Sequence, residues 1–374
     1  MESTREIYCQ YINHIVNVFP KWDAVITSKM NEETRKIQFS GKSSYMIALP
    51  KKWVEEMGLR PGSQVMVTRQ DNASLLISLK GTGVVRDKGE VTIELSPQDN
   101  GGAISRKLVA LYLVGYNVIH IKGEGGKLTS TQRDVVKETV HRHLIGTEVV
   151  ADSTEGITLQ VLLGYPELSV ENALRRMFLI TASMHKDAII AFRKLDKDSI
   201  EGVIKTDDEV DRFGLYLIRQ LKMAVQNDRI LKEIGLTTPR DCLGYRLIVK
   251  SVERVADHAN KIAQEALMIS KPFDEMMLAK ITQLSEFALS LFEESGVTLF
   301  KRDYDAADRI VEKAQLIGKM QQDFLTSIEK GKAIALPPAL RLIVEDIRRT
   351  AEYSSDIAEI VLNLTVEQVV SDKK

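Results

Sequence analysis

From residue 168 to residue 368 the chain reads as long amphipathic helices, with glycine and proline scarce and confined to joints such as GLTTPRD and ALPPAL. Helices of this kind must each bury an apolar stripe against a neighbour. Six are expected, at 169–195, 197–227, 240–270, 274–301, 304–330 and 339–364. An internal repeat sorts them three and three. ERVADHANKIAQEAL, starting at Glu253, aligns with RRTAEYSSDIAEIVL, starting at Arg348. The alignment brings Arg254 to Arg349, Ala256 to Ala351, Ile262 to Ile357 and Ala263 to Ala358. Each copy lies in the third helix of its half, so an all-α pair of three-helix bundles is expected over 168–368.

Two other zones precede the helices, and the whole is expected to be multidomain α+β. Residues 34–80 read as short strands around one short helix, KKWVEEMGL, with turns at RPGS and QDNA. So short a zone buries little core alone. Residues 85–165 read β-α-β-α-β-β, a small α/β domain with strands VTIEL, NVIHIKG, TEVVADS and ITLQVLL. Its second helix opens on Thr129 or Ser130, and DNGGAIS is read as a turn. No chemistry is assigned to this zone. Residues 1–33 form a tail that matches nothing downstream, and Met30 offers an alternative start, so residues 1–29 are read as an extension or a gene-calling artefact.

Net charge is −1, so a nucleic-acid partner must be met by a local patch and not by a global field. Cys9 and Cys242 stand in unrelated contexts, which excludes a disulfide framework or a CxxC zinc site and suits a reducing, cytoplasmic compartment. No apolar run approaches the roughly 20 residues of a membrane span.

The candidate chemistry lies in carboxylates. At about 100° per residue, Val252, Ala256, Ala259, Ile262, Ala263 and Ala266 fill one arc of the third helix. Glu253, Asp257, Asn260 and Gln264 form a stripe beside that arc, and Arg254 and Lys261 point away. In the second helix Val203, Val210, Gly214, Leu217 and Leu221 define the apolar arc, and Asp207 and Asp211 fall inside it. Asp208 is at the margin and Glu209 points outward. A carboxylate in a core face is costly unless paired, protonated or coordinated. Adjacent helices bring Asp207, Asp211, Glu253 and Asp257 face to face as a hard-oxygen site for a divalent or trivalent metal ion. Iron, zinc, manganese and magnesium all suit oxygen ligands, with His258 or Asn260 as weaker assistants. The bland alternative is a solvated helix edge. The second half departs from the pattern: Arg348 stands for Glu253 and Glu352 for Asp257, and AQLIG stands against Asp207 to Asp211, so a second equivalent cluster is not expected. No nucleophile–base pair or glycine-rich phosphate loop appears, so an enzyme is not expected.

The helix count, the repeat and the acid-x-x-x-Asp pairs Asp207/Asp211 and Glu253/Asp257 resemble the PhoU domain. The resemblance implies multinuclear metal binding through those carboxylates and negative regulation of phosphate uptake. Residues 34–80, through TRKIQFSGKSSYMIALPKKWVEEMGLRPGSQVMV, resemble the SpoVT/AbrB swapped-hairpin domain. That family binds DNA as an interleaved homodimer. Arg35, Lys36, Lys42, Lys51, Lys52 and Arg60 supply local positive charge, and Ser43 and Ser44 supply phosphate donors. The order of the two domains looks like that of the archaeal phosphate-uptake regulators. It implies a phosphate-responsive transcriptional regulator. The alternative is an adaptor that acts on a phosphate transporter or sensor kinase without touching DNA.

Overall fold

The computed structural model describes residues 33–41, 44–69, 74–79, 88–162, 168–329 and 337–370. The tail at 1–33, except Glu33, lies outside them, as do the proposed DNA contacts Lys42 and Ser43. The chain forms two compact units, Met1–Gly83 and Val84–Lys374.

In the first unit β1 (Ile37–Ser40) pairs antiparallel with β2 (Ser44–Ile47), and β3 (Val65–Arg69) with β4 (Leu75–Leu79). Between the hairpins runs α1 (Lys51–Glu56), which starts after Pro50 and is followed by Gly58 at φ +68°, a conformation that favours glycine. Phe39 lies opposite Tyr45 and the rings meet edge to face, centroids 5.2 Å apart. Among the described residues of this unit the apolar side chains form no buried core: Ile37, Phe39 and Tyr45 are 69%, 61% and 73% exposed. Two-stranded hairpins in that condition are marginal alone.

The second unit starts with a four-stranded sheet of order β5-β6-β8-β7. Its strands are β5 (Lys88–Leu95), β6 (Tyr116–Gly123), β7 (Thr147–Asp152) and β8 (Gly156–Val161). β5 and β6 are parallel, joined through α2 (Gly101–Val114); the other pairings are antiparallel. DNGGAIS is the capped start of α2 and not a separate turn: the Asn100 side chain accepts from Ala103 N at 2.9 Å. Helix α3 (Ser130–His143) opens on a capping box, Thr129 with Gln132. Leu108, Tyr112 and Val136 of the two helices share a core with Ile119, Ile121, Ile157 and Leu159 of the sheet. The period of two along β6 and β8 puts His120 and Thr158 on the opposite face.

The helical region holds α4 (Val170–Lys194), α5 (Lys197–Ala224), α6 (Asp228–Glu233) and α7 (Asp241–Ala266) in the first half. The second half holds α8 (Glu275–Lys301), α9 (Tyr304–Ala314), α10 (Leu316–Glu329) and α11 (Pro338–Thr365). The helix expected at 304–330 is therefore two. Gln315 N bonds to Glu312 O, three residues back, which tightens the last turn of α9 before α10 restarts. α7 packs against α4, α5 and α11, and one hydrophobic core runs through both halves. α7 and α11 are antiparallel: His258 meets Asp346, and Gly244 lies against Ile360 and Leu364.

Candidate functional site

Helix α5 has two working faces. One turns to α7 and carries Asp207 and Asp211. One turn on, Gly214 sits with bare backbone beside Glu253, whose Oε2 is 3.5 Å from where a Cβ would stand. The other face turns to the α/β region. There Arg142 of α3 grips Asp208 with two guanidinium nitrogens at 2.7 and 3.1 Å. Three turns along, the buried Arg219 bonds to the Tyr112 carbonyl and, at 2.8 Å, to Asn117 Oδ1. Tyr112 lies under the same guanidinium, 4.8 Å from the ring centroid. Nothing in the spacing of α5 announces these cation partners, because they lie 66 and 102 residues away.

The four acids are half-buried and face one another across α5 and α7. Burial pushes the Asp207 carboxyl up, and the charges of Asp257, Asp208 and Glu253 add to it; the Asn260 amide, which donates to Asp207 Oδ2, works against them. Gln264 in turn donates to Asn260 at 3.0 Å, which holds the C-terminal part of the stripe on α7 in a chain of side-chain bonds to Asp207. Asp211 is pushed up to about 7, by burial first and then by Glu253, Asp207 and Asp257. Lys250 opposes this and holds Glu253. One positive charge beside four carboxylates leaves them mutually repelling.

The acids sense one another without forming a cage. Among the described residues, no group of three or more His, Cys, Asp or Glu side chains is gathered closely enough to hold a metal ion. The donor set, all oxygen and strongly anionic, suits a hard cation in chemistry. Closing a cage needs side-chain rotation, and Asp207 would leave Asn260. His258 is elsewhere: its Nδ1 lies 2.6 Å from Asp346 Oδ1, and its ring stacks on Tyr353 of α11.

The repeat-related position in the second half is built differently. Arg348 Nε reaches Glu345 at 2.9 Å, and its guanidinium also pairs with Glu352. Arg349 spans the same two acids at 3.2 and 3.1 Å. The Arg348 hydrogen bonds pull the Glu345 carboxyl down to about 2.

In the first unit Lys51 and Lys52 lie exposed on the first turn of α1, in loose pairs with Glu55 and Glu56 at 3.7 and 3.8 Å. Arg35 pairs with Glu33, Lys36 is exposed, and Ser44 begins β2. Arg60 sits in the turn closed by Ser63, whose Oγ accepts the Arg60 N–H at 3.0 Å.

Residues 174–266, from α4 to the end of α7, match the PhoU domain family. Residues 38–83 match the family described as antidote-toxin recognition MazE, bacterial antitoxin. A phosphate-specific transport system accessory protein PhoU homolog of Aquifex aeolicus is 24% identical over 159 residues, 41% of this chain and 67% of its own length. The homolog of the same name from Borreliella burgdorferi is 20% identical over 197 residues, 50% of this chain and 86% of its own. Among solved structures, PhoU from Streptococcus pneumoniae gives a TM-score of 0.46 at 18% identity, over 54% of this chain and 96% of that one. The chain carries a PhoU domain in its first helical half and a MazE/AbrB-like hairpin module ahead of it.

Proposed function

We propose that this chain is a phosphate-responsive transcriptional regulator of the cytoplasm. The hairpin unit contacts operator DNA as a homodimer, and the PhoU-like helices sense a metal ion, phosphate or a partner protein. The observation that carries the reading is the combination, in one chain, of a basic hairpin module whose described apolar side chains are largely exposed with a PhoU domain whose four acids have Lys250 as counter-charge. The exposed Ile37, Phe39 and Tyr45 support the dimer, because a second hairpin unit gives them a core. No helix among the described residues is long and apolar enough to cross a membrane. Asp207, Asp211, Glu253 and Asp257 would hold iron, zinc, manganese or magnesium, and the cation would cancel their repulsion.

DNA binding is tested with the chain's own upstream sequence, by anisotropy across a salt series, with and without manganese and phosphate. Lys51→Ala with Lys52→Ala should weaken binding and flatten the salt slope by about 0.9 for each phosphate that the lysines no longer neutralise. The relatives' names, transport system accessory proteins, favour a second reading, in which the chain docks on a transporter or sensor kinase and the hairpins only dimerise it. In that case the upstream DNA binds no better than unrelated DNA, and the double lysine variant behaves as wild type.

A further inference from the structure

Helix α7 is seated between α4 and α11, whereas α5 lies between α4, α7 and the α/β region. At 100° per residue Asp208, Leu215 and Arg219 fall within about 40° of one line along α5, and Asp207 and Asp211 lie roughly 80° around from it. The line from Asp208 to Arg219 is about 16 Å long, and along it α5 meets the α/β region. Arg142, in the last turn of α3, grips Asp208 through Nε at 3.1 Å and Nη2 at 2.7 Å, and Glu138 holds Arg142 in turn at 3.2 Å. Leu215 packs against the α/β core. Arg219 bonds to the Tyr112 carbonyl and to Asn117.

Asp207 and Asp208 are neighbours in the chain, so whatever turns one turns the other. A carboxylate stands about 5 Å from the helix axis, and a 20° rotation of α5 would carry it by roughly 2 Å. That is about the length of a bond from a hard cation to oxygen. The acids of α7 supply one side of the site, and the rotation of α5 decides whether Asp207 and Asp211 meet them. A bidentate arginine–carboxylate pair fixes direction as well as distance.

We propose that Arg142 is a positioning residue for the cation site: by gripping Asp208 it sets the rotation of α5, so that Asp207 and Asp211 face α7, and the α/β region thereby registers whether the site is filled. This role rests on the cation site proposed above. The coupling runs both ways, because a clamp that strengthens cation binding is strengthened by a bound cation in the same factor. It gives the α/β region, to which no chemistry is assigned, a task. Charge alone predicts the reverse. Arg142 is a positive charge near the acids, and its removal should draw a cation in more tightly. Positioning predicts weaker binding, so the sign of the change decides.

Manganese titration of the full chain by calorimetry at pH 7.5, together with amide hydrogen exchange, tests this. Arg142→Ala should bind manganese at least ~10-fold more weakly than wild type, the usual size for removing an outer partner of a metal ligand. Arg142→Lys keeps the charge without the two-point grip and should recover only part of the loss. Arg176→Ala is the control: it removes the same charge from the α4 side of α5, where Arg176 pairs with Glu209, and should bind as wild type or slightly more tightly. Manganese should slow exchange in the last turn of α3 in wild type and not in Arg142→Ala. The Arg142–Asp208 pair is half-exposed, so the melting temperature without cation should change little. Equal or tighter manganese binding by Arg142→Ala, or an equal loss in Arg176→Ala, overturns the positioning role and leaves the cation site standing. Wild type that binds no manganese removes the site itself, and the positioning role with it.

Discussion

The two halves of the helical region use the same scaffold and handle charge in opposite ways. In the first half, α5 and α7 bring four carboxylates together with Lys250 as counter-charge, and Asp211 is pushed up to about 7. In the second half Arg348 occupies the place of Glu253 and is bound by Glu345 and Glu352, and Glu345 falls to about 2. Arginine at the place of Glu253, and AQLIG at the place of the segment with Asp207 and Asp211, separate a repelling cluster from a self-neutralised one. The guanidinium does permanently for α11 what a bound cation would do for α7. The second half is thus neutralised from within, and the first keeps an excess of negative charge.

The contrast predicts its largest effect for cation binding. The folded pKa values of Asp207 and Asp211 lie above the ordinary value of 3.8, so the folded state holds protons that the unfolded chain releases. Stability of the cation-free protein should fall as pH rises from about 4 through about 7, and manganese should restore it above that window. At a hundredfold excess over its dissociation constant the cation adds about 2.7 kcal/mol, roughly 5–10 °C in melting temperature for a unit of this size. Calorimetry at pH 5 and pH 8, with chelator and with manganese, checks this. A shift as large at pH 5 as at pH 8 breaks the contrast.

Next in size is Arg348→Ala, which leaves Glu345 and Glu352 with Arg349 alone. The side chain is 23% exposed, so the loss should be about 2 kcal/mol and not the 3–5 kcal/mol of a fully buried pair. Arg348→Glu puts an acid where Glu253 stands in the first half, beside Glu345 and Glu352, and manganese should then stabilise the variant by more than it stabilises wild type. An equal response would mean that position 348 does not set the difference between the halves.

Much of the contrast is readable from spacing. The stripe Glu253, Asp257, Asn260 and Gln264 follows from helical periodicity alone, and Asp207 and Asp211 declare themselves by interrupting an apolar arc. The alignment of Arg348 with Glu253 marks the second half as different. The other face of α5 stays hidden. Asp208 reads only as an acid at the margin of the apolar arc, and Arg219 carries no signal, because Arg142, Tyr112 and Asn117 come from a separate stretch of chain. Pairings at that separation leave no period to read. The break at Gln315 is equally hidden, since no proline or helix-ending glycine marks it. The α/β region, whose sequence shows no chemistry, is the body that Arg142 and Arg219 bind to α5.

A smaller effect follows from removing one acid. Without cation, Asp211→Asn should stabilise the protein at pH 8 by roughly 0.5–1 kcal/mol, because one source of repulsion is gone. At pH 4, where the wild-type carboxyl is largely protonated, the gain should vanish. Chemical denaturation at the two pH values separates this from a general packing effect. Destabilisation at pH 8 would mean that Asp211 is already compensated.

The most direct test is manganese titration by calorimetry at pH 7.5 on wild type, Asp211→Asn, Asp257→Asn and Glu352→Gln. A cation site between α5 and α7 predicts binding by wild type, at least ~10-fold weaker binding by each first-half variant, and wild-type affinity in Glu352→Gln. Equal affinity in all four proteins, or none in wild type, would contradict it and leave the carboxylates of α5 and α7 as a half-buried helix edge.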